Sequence, residues 1–205
     1  GNLLHQSMRI ISTDESPFHL RMTLLEQLQG ENYNNEIIDQ LKTIAIDAAQ
    51  YFALRQAACK ALGDRIDVSE WSFLVEEFRQ QATRDSMRLA SETIIQVGVE
   101  HFDSQQIIET IFAHGGFSLC RAPAEEEDSL GLRFYQYRTA IPDDRLESTL
   151  DLLSEFCNAL MPEHRDIECG DISSLSKALI VRQLKLGTVE PKRLWKWISA
   201  VGDRH

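Results

Sequence analysis

Residues 54–62 read Leu54-Arg55-Gln56-Ala57-Ala58-Cys59-Lys60-Ala61-Leu62, and this nonapeptide has two echoes in the chain. Leu20 to Leu28 opens Leu-Arg and Met87 to Ile95 opens Met-Arg, so an apolar residue followed by arginine recurs after 34 and then 33 residues. Each copy closes on an aliphatic residue eight positions on, at Leu28, Leu62 and Ile95. A period in the thirties carried by helix-type patterning is the signature of an α-solenoid, whose units cover one another's apolar faces. Ala57, Ala58 and Ala61 keep the central copy slim, which lets two helix backbones approach closely.

Upstream, Pro17 predicts a helix start, because a first-turn residue needs no N–H. Leu20, Leu24, Leu25 and Leu28 make its stripe, Gly30 ends it, and Leu3 to Ile11 is read as a frayed partner helix. Asn34-Asn35 caps a helix with Ile37, Ile38, Leu41, Ile44, Ala45 and Ala48 on one face, the partner of the Leu54 helix. Gly63 closes that pair. Asp67 and Glu70 have capping-box spacing ahead of Trp71, Leu74, Val75 and Phe78. The Met87 helix runs to Gly98, and Asp103 caps a further one carrying Ile107, Ile108, Ile111 and Phe112, with a stop expected at Gly115-Gly116.

Beyond Gly116 the helical period fades. Phe117 to Arg121 and Leu132 to Arg138 alternate with period two around an acidic Ala122 to Ser129, which predicts an irregular or hairpin insertion over 115–138. Glu125, Glu126, Glu127 and Asp128 at its tip, with Arg133 and Tyr135 after them, are candidate partner contacts, since loops on a rigid scaffold often carry function. Pro142, with Asp143 and Asp144 beside it, opens an amphipathic helix bearing Leu146, Leu150, Leu153, Phe156 and Leu160. Asp171 is expected to start the next helix, with Leu175, Leu179 and Ile180 inside. Glu190-Pro191 opens the last, where Leu194, Trp197, Ile198 and Val201 share a face. Trp195 points about 100° away from Leu194 and is the remaining candidate contact. The expectation is therefore an all-α fold: HEAT-like antiparallel pairs over 1–114, the insertion at 115–138, and a C-terminal helical part of the same solenoid over 139–205.

The 205 residues are 43% hydrophobic and 26% charged, ordinary values for a globular chain. A net charge of −11 disfavours phosphate backbones and hence nucleic acid. Residues 182–205 nevertheless hold six bases against two acids, a local +4 that leaves −15 on the rest. That asymmetry predicts a basic end lying against an acidic surface, within the chain or on a neighbour. Four dispersed cysteines without a Cys-x-x-Cys pair fit a reducing, cytoplasmic compartment. No stretch has the length of a membrane span and no signal peptide is visible. The opening Gly-Asn is read as a scar ahead of a piece taken from a longer protein.

The Leu-Arg start, the small Ala57-Ala58 centre and the aliphatic end resemble the second helix of HEAT or armadillo-type repeats over about residues 17–114. An aspartate at one fixed place before each arginine is missing. Gly131-Leu132-Arg133-Phe134-Tyr135-Gln136-Tyr137, then Ile141-Pro142 and Leu194-Trp195-Lys196-Trp197-Ile198, look like the helical region that follows the nucleotide-binding part of STAND or NACHT-type ATPases. That resemblance implies sensing or assembly, with the ATPase elsewhere in the polypeptide. It carries no nucleotide site, because no Gly-x-x-x-x-Gly-Lys-Ser/Thr loop occurs here.

Chemistry-bearing constellations are sparse. Cys157, His164 and Cys169, with Asp166 or Cys120 as a fourth ligand, match no common zinc spacing, and Cys157 sits on a core-facing stripe. His114 with Cys120 reads more simply as a helix-end histidine and a buried thiol than as a base and nucleophile. Adjacent acids such as Glu76-Glu77 and Asp143-Asp144 read as solvated faces, since general acid–base catalysis needs carboxylates held in different environments. Lys192, Arg193, Trp195, Lys196 and Trp197 offer charge and stacking, but their pattern fits a terminal helix with a polar outer face better than a phosphate or membrane site.

The expected function is a non-enzymatic protein-interaction or sensing scaffold without cofactor or metal. Its expected partners are another protein or other domains of the same polypeptide, with no membrane. The alternatives are a HEAT-like enzyme of the DNA glycosylase or bilin lyase type, and an oligomerisation domain of a STAND-type ATPase.

Overall fold

The computed structural model describes residues 2–13, 15–29, 34–119, 130–159 and 162–201. Among these the chain is all-helical, and no strand occurs. The helices are α1 (Asn2–Ile11), α2 (Phe18–Leu28), α3 (Asn35–Ile46), α4 (Phe52–Leu62), α5 (Val68–Gln81), α6 (Arg84–Val97), α7 (Ser104–Leu119), α8 (Leu130–Ala140), α9 (Leu146–Ala159), α10 (Pro162–Leu186) and α11 (Pro191–Val201). They fall into two compact units, Gly1–Thr93 and Ile94–His205.

In the first unit, local sequence sets several of the boundaries. The Asn34 side chain accepts from the Ile37 N–H at 3.2 Å and starts α3. Asp67 and Glu70 close the capping box that opens α5. Gly63 ends α4 at φ +44°, a left-handed backbone that glycine adopts without strain. Helix α1 packs on α2 and α3 on α4, while α2 also packs on α4, α1 on α3 and α3 on α5. Most of the faces the periodicity marks are buried: Ile37, Leu41, Ile44 and Ala45 on α3, Leu54, Ala57, Ala58 and Leu62 on α4, and Trp71, Leu74, Val75 and Phe78 on α5, whereas Ile38 is half-buried and Ala48, expected on the α3 face, is exposed in the turn beyond Ile46.

The repeated arginine has a structural meaning that the stripe reading missed. On α2 it is Arg21, 3% exposed, that faces inward, while Leu20 is 44% exposed. Arg21 Nε donates to the Ile11 carbonyl at 2.7 Å, at the end of α1, and its Nη2 donates to Gln50 in the turn before α4. Arg55, 1% exposed, does the same one repeat later. Its Nε donates to Ala45 O at 2.9 Å, near the end of α3, and its Nη2 to Gln81 Oε1 at 2.7 Å, at the end of α5. Gln81 in turn donates to Ile46 O. The last carbonyls of a helix have no partner within it, so a buried cation that reaches them satisfies both sides. The third copy differs: Arg88 bonds Glu92 at 3.1 Å on its own helix and lies over the Phe52 ring at 4.3 Å.

In the second unit, Asp103 accepts from the Gln106 N–H at 2.7 Å and opens α7, with Ile107, Ile108 and Ile111 buried. Helix α9 packs on α7, α10 and α11, and α10 packs on α7, α8 and α11. Leu146, Leu150, Leu153 and Cys157 of α9 and Ile172, Leu175, Leu179 and Ile180 of α10 supply the core. Arg182 repeats the carbonyl-capping device at the end of α8, donating to Ile141 O at 2.7 Å and pairing with Asp143.

Three expectations are corrected here. Gly115-Gly116 does not stop α7, which continues to Leu119; a mid-helix glycine costs only about 1 kcal/mol, so it weakens a helix without forbidding it. The hairpin is overturned where it can be seen, because Leu130–Ala140 is helix α8. Leu130, Phe134 and Tyr137 satisfy the i, i+4, i+7 pattern as well as any alternation. Residues 120–129 lie outside the described set. Helix α10 begins at Pro162 rather than Asp171, since a proline followed by Glu163 and Asp166 suits a first turn.

Candidate interaction surfaces

The C-terminal helix is fixed by an acidic row on α9. Glu147, Asp151 and Glu155 are four residues apart and share one face. Asp151 Oδ2 accepts from Arg193 Nη2 at 2.6 Å and from Nε at 3.1 Å, and its Oδ1 accepts from Trp197 Nε1 at 2.8 Å. Arg193 also bonds Glu147, which accepts from Gln183 Nε2 at 3.2 Å, and Lys196 bonds Glu155 at 3.1 Å. Partial burial pushes the Asp151 carboxyl up, but the hydrogen bonds from Arg193 and Trp197 outweigh it and hold the group below its ordinary value. The bond to Asp151 raises Arg193 above its own. Part of the basic C-terminal charge is therefore spent inside the unit, as the charge asymmetry predicted, and Trp197 is 1% exposed.

With Arg193 and Trp197 both tied to Asp151, the residue between them turns outward. Trp195 is 71% exposed. It borders a groove of about 510 Å³ together with Asp151, Glu190, Lys192, Arg193 and Lys196. Ile198, expected on the inner face, is instead 43% exposed on the side that carries Trp195.

The other predicted contacts are dispersed. Glu125, Glu126, Glu127 and Asp128 lie outside the described residues, and Arg133 falls on α8. Tyr135, also on α8, is 58% exposed, with the Arg138 guanidinium 6.0 Å from its ring centroid. Tyr135 and Trp195 thus stand on different helices, and neither belongs to a hairpin.

The two free cysteines of the described part are buried. Burial pushes the Cys59 thiol up to about 12, against the pull of the neighbouring Arg55 charge. Cys157 is likewise a buried free thiol. Among the described residues, no group of three or more His, Cys, Asp or Glu is placed to hold a metal. Cys120 lies outside them, and the side chains of His114, His164, Asp166 and Cys169 are not described. A cavity of about 160 Å³ lies beside Arg21, bordered by Gln40, Ile44, Asp47 and Gln50. No described helix is long and apolar enough to cross a membrane.

The chain matches no family model, no curated protein and no solved structure. Its functional reading therefore rests on its own residues. Two features of the site were not read from the sequence. One is the Asp151 hub, whose signal was the acidic i, i+4 row facing a basic i, i+3 pair. The other is the inward turn of Arg21 and Arg55, whose signal was the fixed period of the arginine.

Proposed function

We propose that this chain is a non-enzymatic interaction or sensing scaffold, a HEAT-like α-solenoid acting as part of a larger multidomain protein in the cytoplasm. The observation that carries the reading is the pair of buried arginines, Arg21 and Arg55. Each joins the end of its own pair's first helix to a glutamine of the next pair, Gln50 in the turn before α4 and Gln81 at the end of α5. A bond set that repeats with the sequence period is what stacked helix pairs require, because each pair is completed by its neighbour. The packing of α2 on α4 and of α1 on α3 supports the same arrangement. Partner recognition would then work through surface complementarity on rigid helices, with exposed aromatic residues such as Tyr135 and Trp195 as anchors.

The test is affinity capture with the tagged chain, alongside variants carrying alanine at Glu125 to Asp128, at Tyr135 and at Trp195. A partner recovered reproducibly, and lost in at least one folded surface variant, is the expected result. Failure to recover any protein above a tag-only control would overturn the scaffold reading.

A further inference from the structure

We propose that helix α11 is a releasable latch over an acidic face of α9, and that this face takes a basic helical segment of a partner protein when α11 lets go. The inference rests on the scaffold reading and names how one of its surfaces is uncovered and what it receives. Its first support is how lightly α11 is held. Of residues 191–200 only Trp197 is buried. The ion pairs of Arg193 with Asp151 and Glu147, and of Lys196 with Glu155, join side chains that are 29–61% exposed. Pairs that wet are weak and are screened by salt. Residues 184–188, which lead into the helix, are all exposed, and a side chain at Gly187 would meet nothing within 4 Å. The approach therefore gives α11 no further hold. Its 11 residues are too few to persist as a helix alone in water, so it docks and leaves as one unit while the core beneath stays folded.

What lies under the latch defines its replacement. Glu147, Asp151 and Glu155 follow one another along α9, and these three carboxylates meet two bases of α11, Arg193 and Lys196. Gln183 of α10 reaches the same row, donating to Glu147 at 3.2 Å. It is 9% exposed, and its Oε1 is enclosed with no partner. Helix α11 thus leaves both negative charge and a buried acceptor unanswered on the face it covers. The segment that fits has α11's own pattern, a guanidinium and a large aromatic four residues apart as in Arg193 and Trp197, with more hydrogen-bond donors than α11 brings. The net −15 outside residues 182–205 attracts such a basic chain and repels an acidic one.

The probe is a fluorescein-labelled peptide with the sequence of residues 190–201, titrated by anisotropy into the full chain. Its control carries glutamine in place of the arginine and both lysines. In wild type α11 competes from within the chain, so the peptide binds weakly. Arg193→Glu releases the latch and leaves α9 intact, and it should tighten peptide binding about tenfold or more. Adding Asp151→Asn to that variant should cancel the gain, and the control peptide should bind neither form. Hydrogen exchange of the wild type needs no variant: the amides of α11 should exchange together and ahead of those of α9. Exchange of α11 no faster than α9, no gain in a folded Arg193→Glu chain, or equal binding of the control peptide would each overturn the latch. A wild-type dimer that grows with concentration and disappears in Arg193→Glu would assign the face to a second copy and overturn the partner assignment. Affinity capture separates this inference from the reading beneath it. A partner recovered equally by wild type and by the double variant leaves the scaffold standing and removes the latch, whereas capture of nothing by any form removes the scaffold reading itself.

Discussion

Arg21 and Arg55 stand 34 residues apart and make the same bond, each Nε donating to the carbonyl ten residues before it, at 2.7 and 2.9 Å. Burial lowers the Arg55 guanidinium from its ordinary value, yet it stays charged at any ordinary pH, so its cost must be met by acceptors. Arg55→Ala would strand Ala45 O and Gln81, and the expected loss is about 3 kcal/mol. Arg55→Lys should recover only part of it, because a single ammonium lacks the planar fork that reaches two acceptors at once. Urea unfolding of the three proteins decides the matter. A loss in Arg55→Ala below about 0.5 kcal/mol, the range of an ordinary surface change, would show that the repeated bond holds nothing together.

Asp151→Asn tests the hub on α9. Asparagine retains one acceptor for Trp197 or Arg193 but removes the charge, so a loss of about 1–2 kcal/mol at neutral pH is expected. The sign of the pH dependence follows from a carboxyl held below its ordinary value. Its contribution is fully present above the unfolded carboxyl's value of about 3.9 and disappears as pH falls through the lower folded value. The difference in unfolding midpoint between wild type and variant should thus be constant near neutral pH and narrow as pH falls below about 3.9. A constant gap across that range would mean the carboxylate's charge is not what holds Arg193.

How far the helices could be read in advance depended on whether a boundary had its own chemistry. Asn34, Gly63, Asp67 and Asp103 each satisfy or release specific backbone groups, and the helices begin or end beside them. Gly115-Gly116 and Asp171 carry signals that packing can override, and there the chain runs on as helix. Side-chain direction was harder. Leu20 and Arg21 are neighbours, and hydrophobicity alone selects the leucine for the interior. Only the carbonyls of α1 and the amide of Gln50, distant in sequence, make the arginine's burial favourable. Asp151 is a similar case, because its partners come from a helix some 42 residues later.

Cys59 gives a prediction from burial. Its thiol is pushed up to about 12, so it remains protonated and enclosed at neutral pH. Alkylation followed by mass spectrometry should find Cys59 unmodified in the folded chain and rapidly modified in urea, since the thiolate is the reactive species. Above the unfolded thiol's value of about 8.5, the unfolded chain binds fewer protons than the folded one. Stability should therefore decline with rising pH from there toward about 12, less steeply in Cys59→Ala once that variant's cavity cost is subtracted. Rapid native-state labelling at neutral pH would contradict the enclosed position.

Trp195 and Trp197 are the same residue type on the same helix, two positions apart, and their exposures of 71% and 1% assign them opposite roles. Trp197→Ala empties a core site and removes the donor to Asp151 Oδ1, so the expected loss is about 3–5 kcal/mol. Trp195→Ala removes a ring that the fold does not use, and stability should stay within about 0.5 kcal/mol of wild type. The helix period fixes the direction of the contrast: with Arg193 and Trp197 anchored on α9, the side chain between them turns about 100° per residue away from that contact. Chemical denaturation of both variants, with acrylamide quenching to confirm which tryptophan was lost, measures it directly. Equal losses would place Trp195 in the core and leave the outward face of α11 without its anchor.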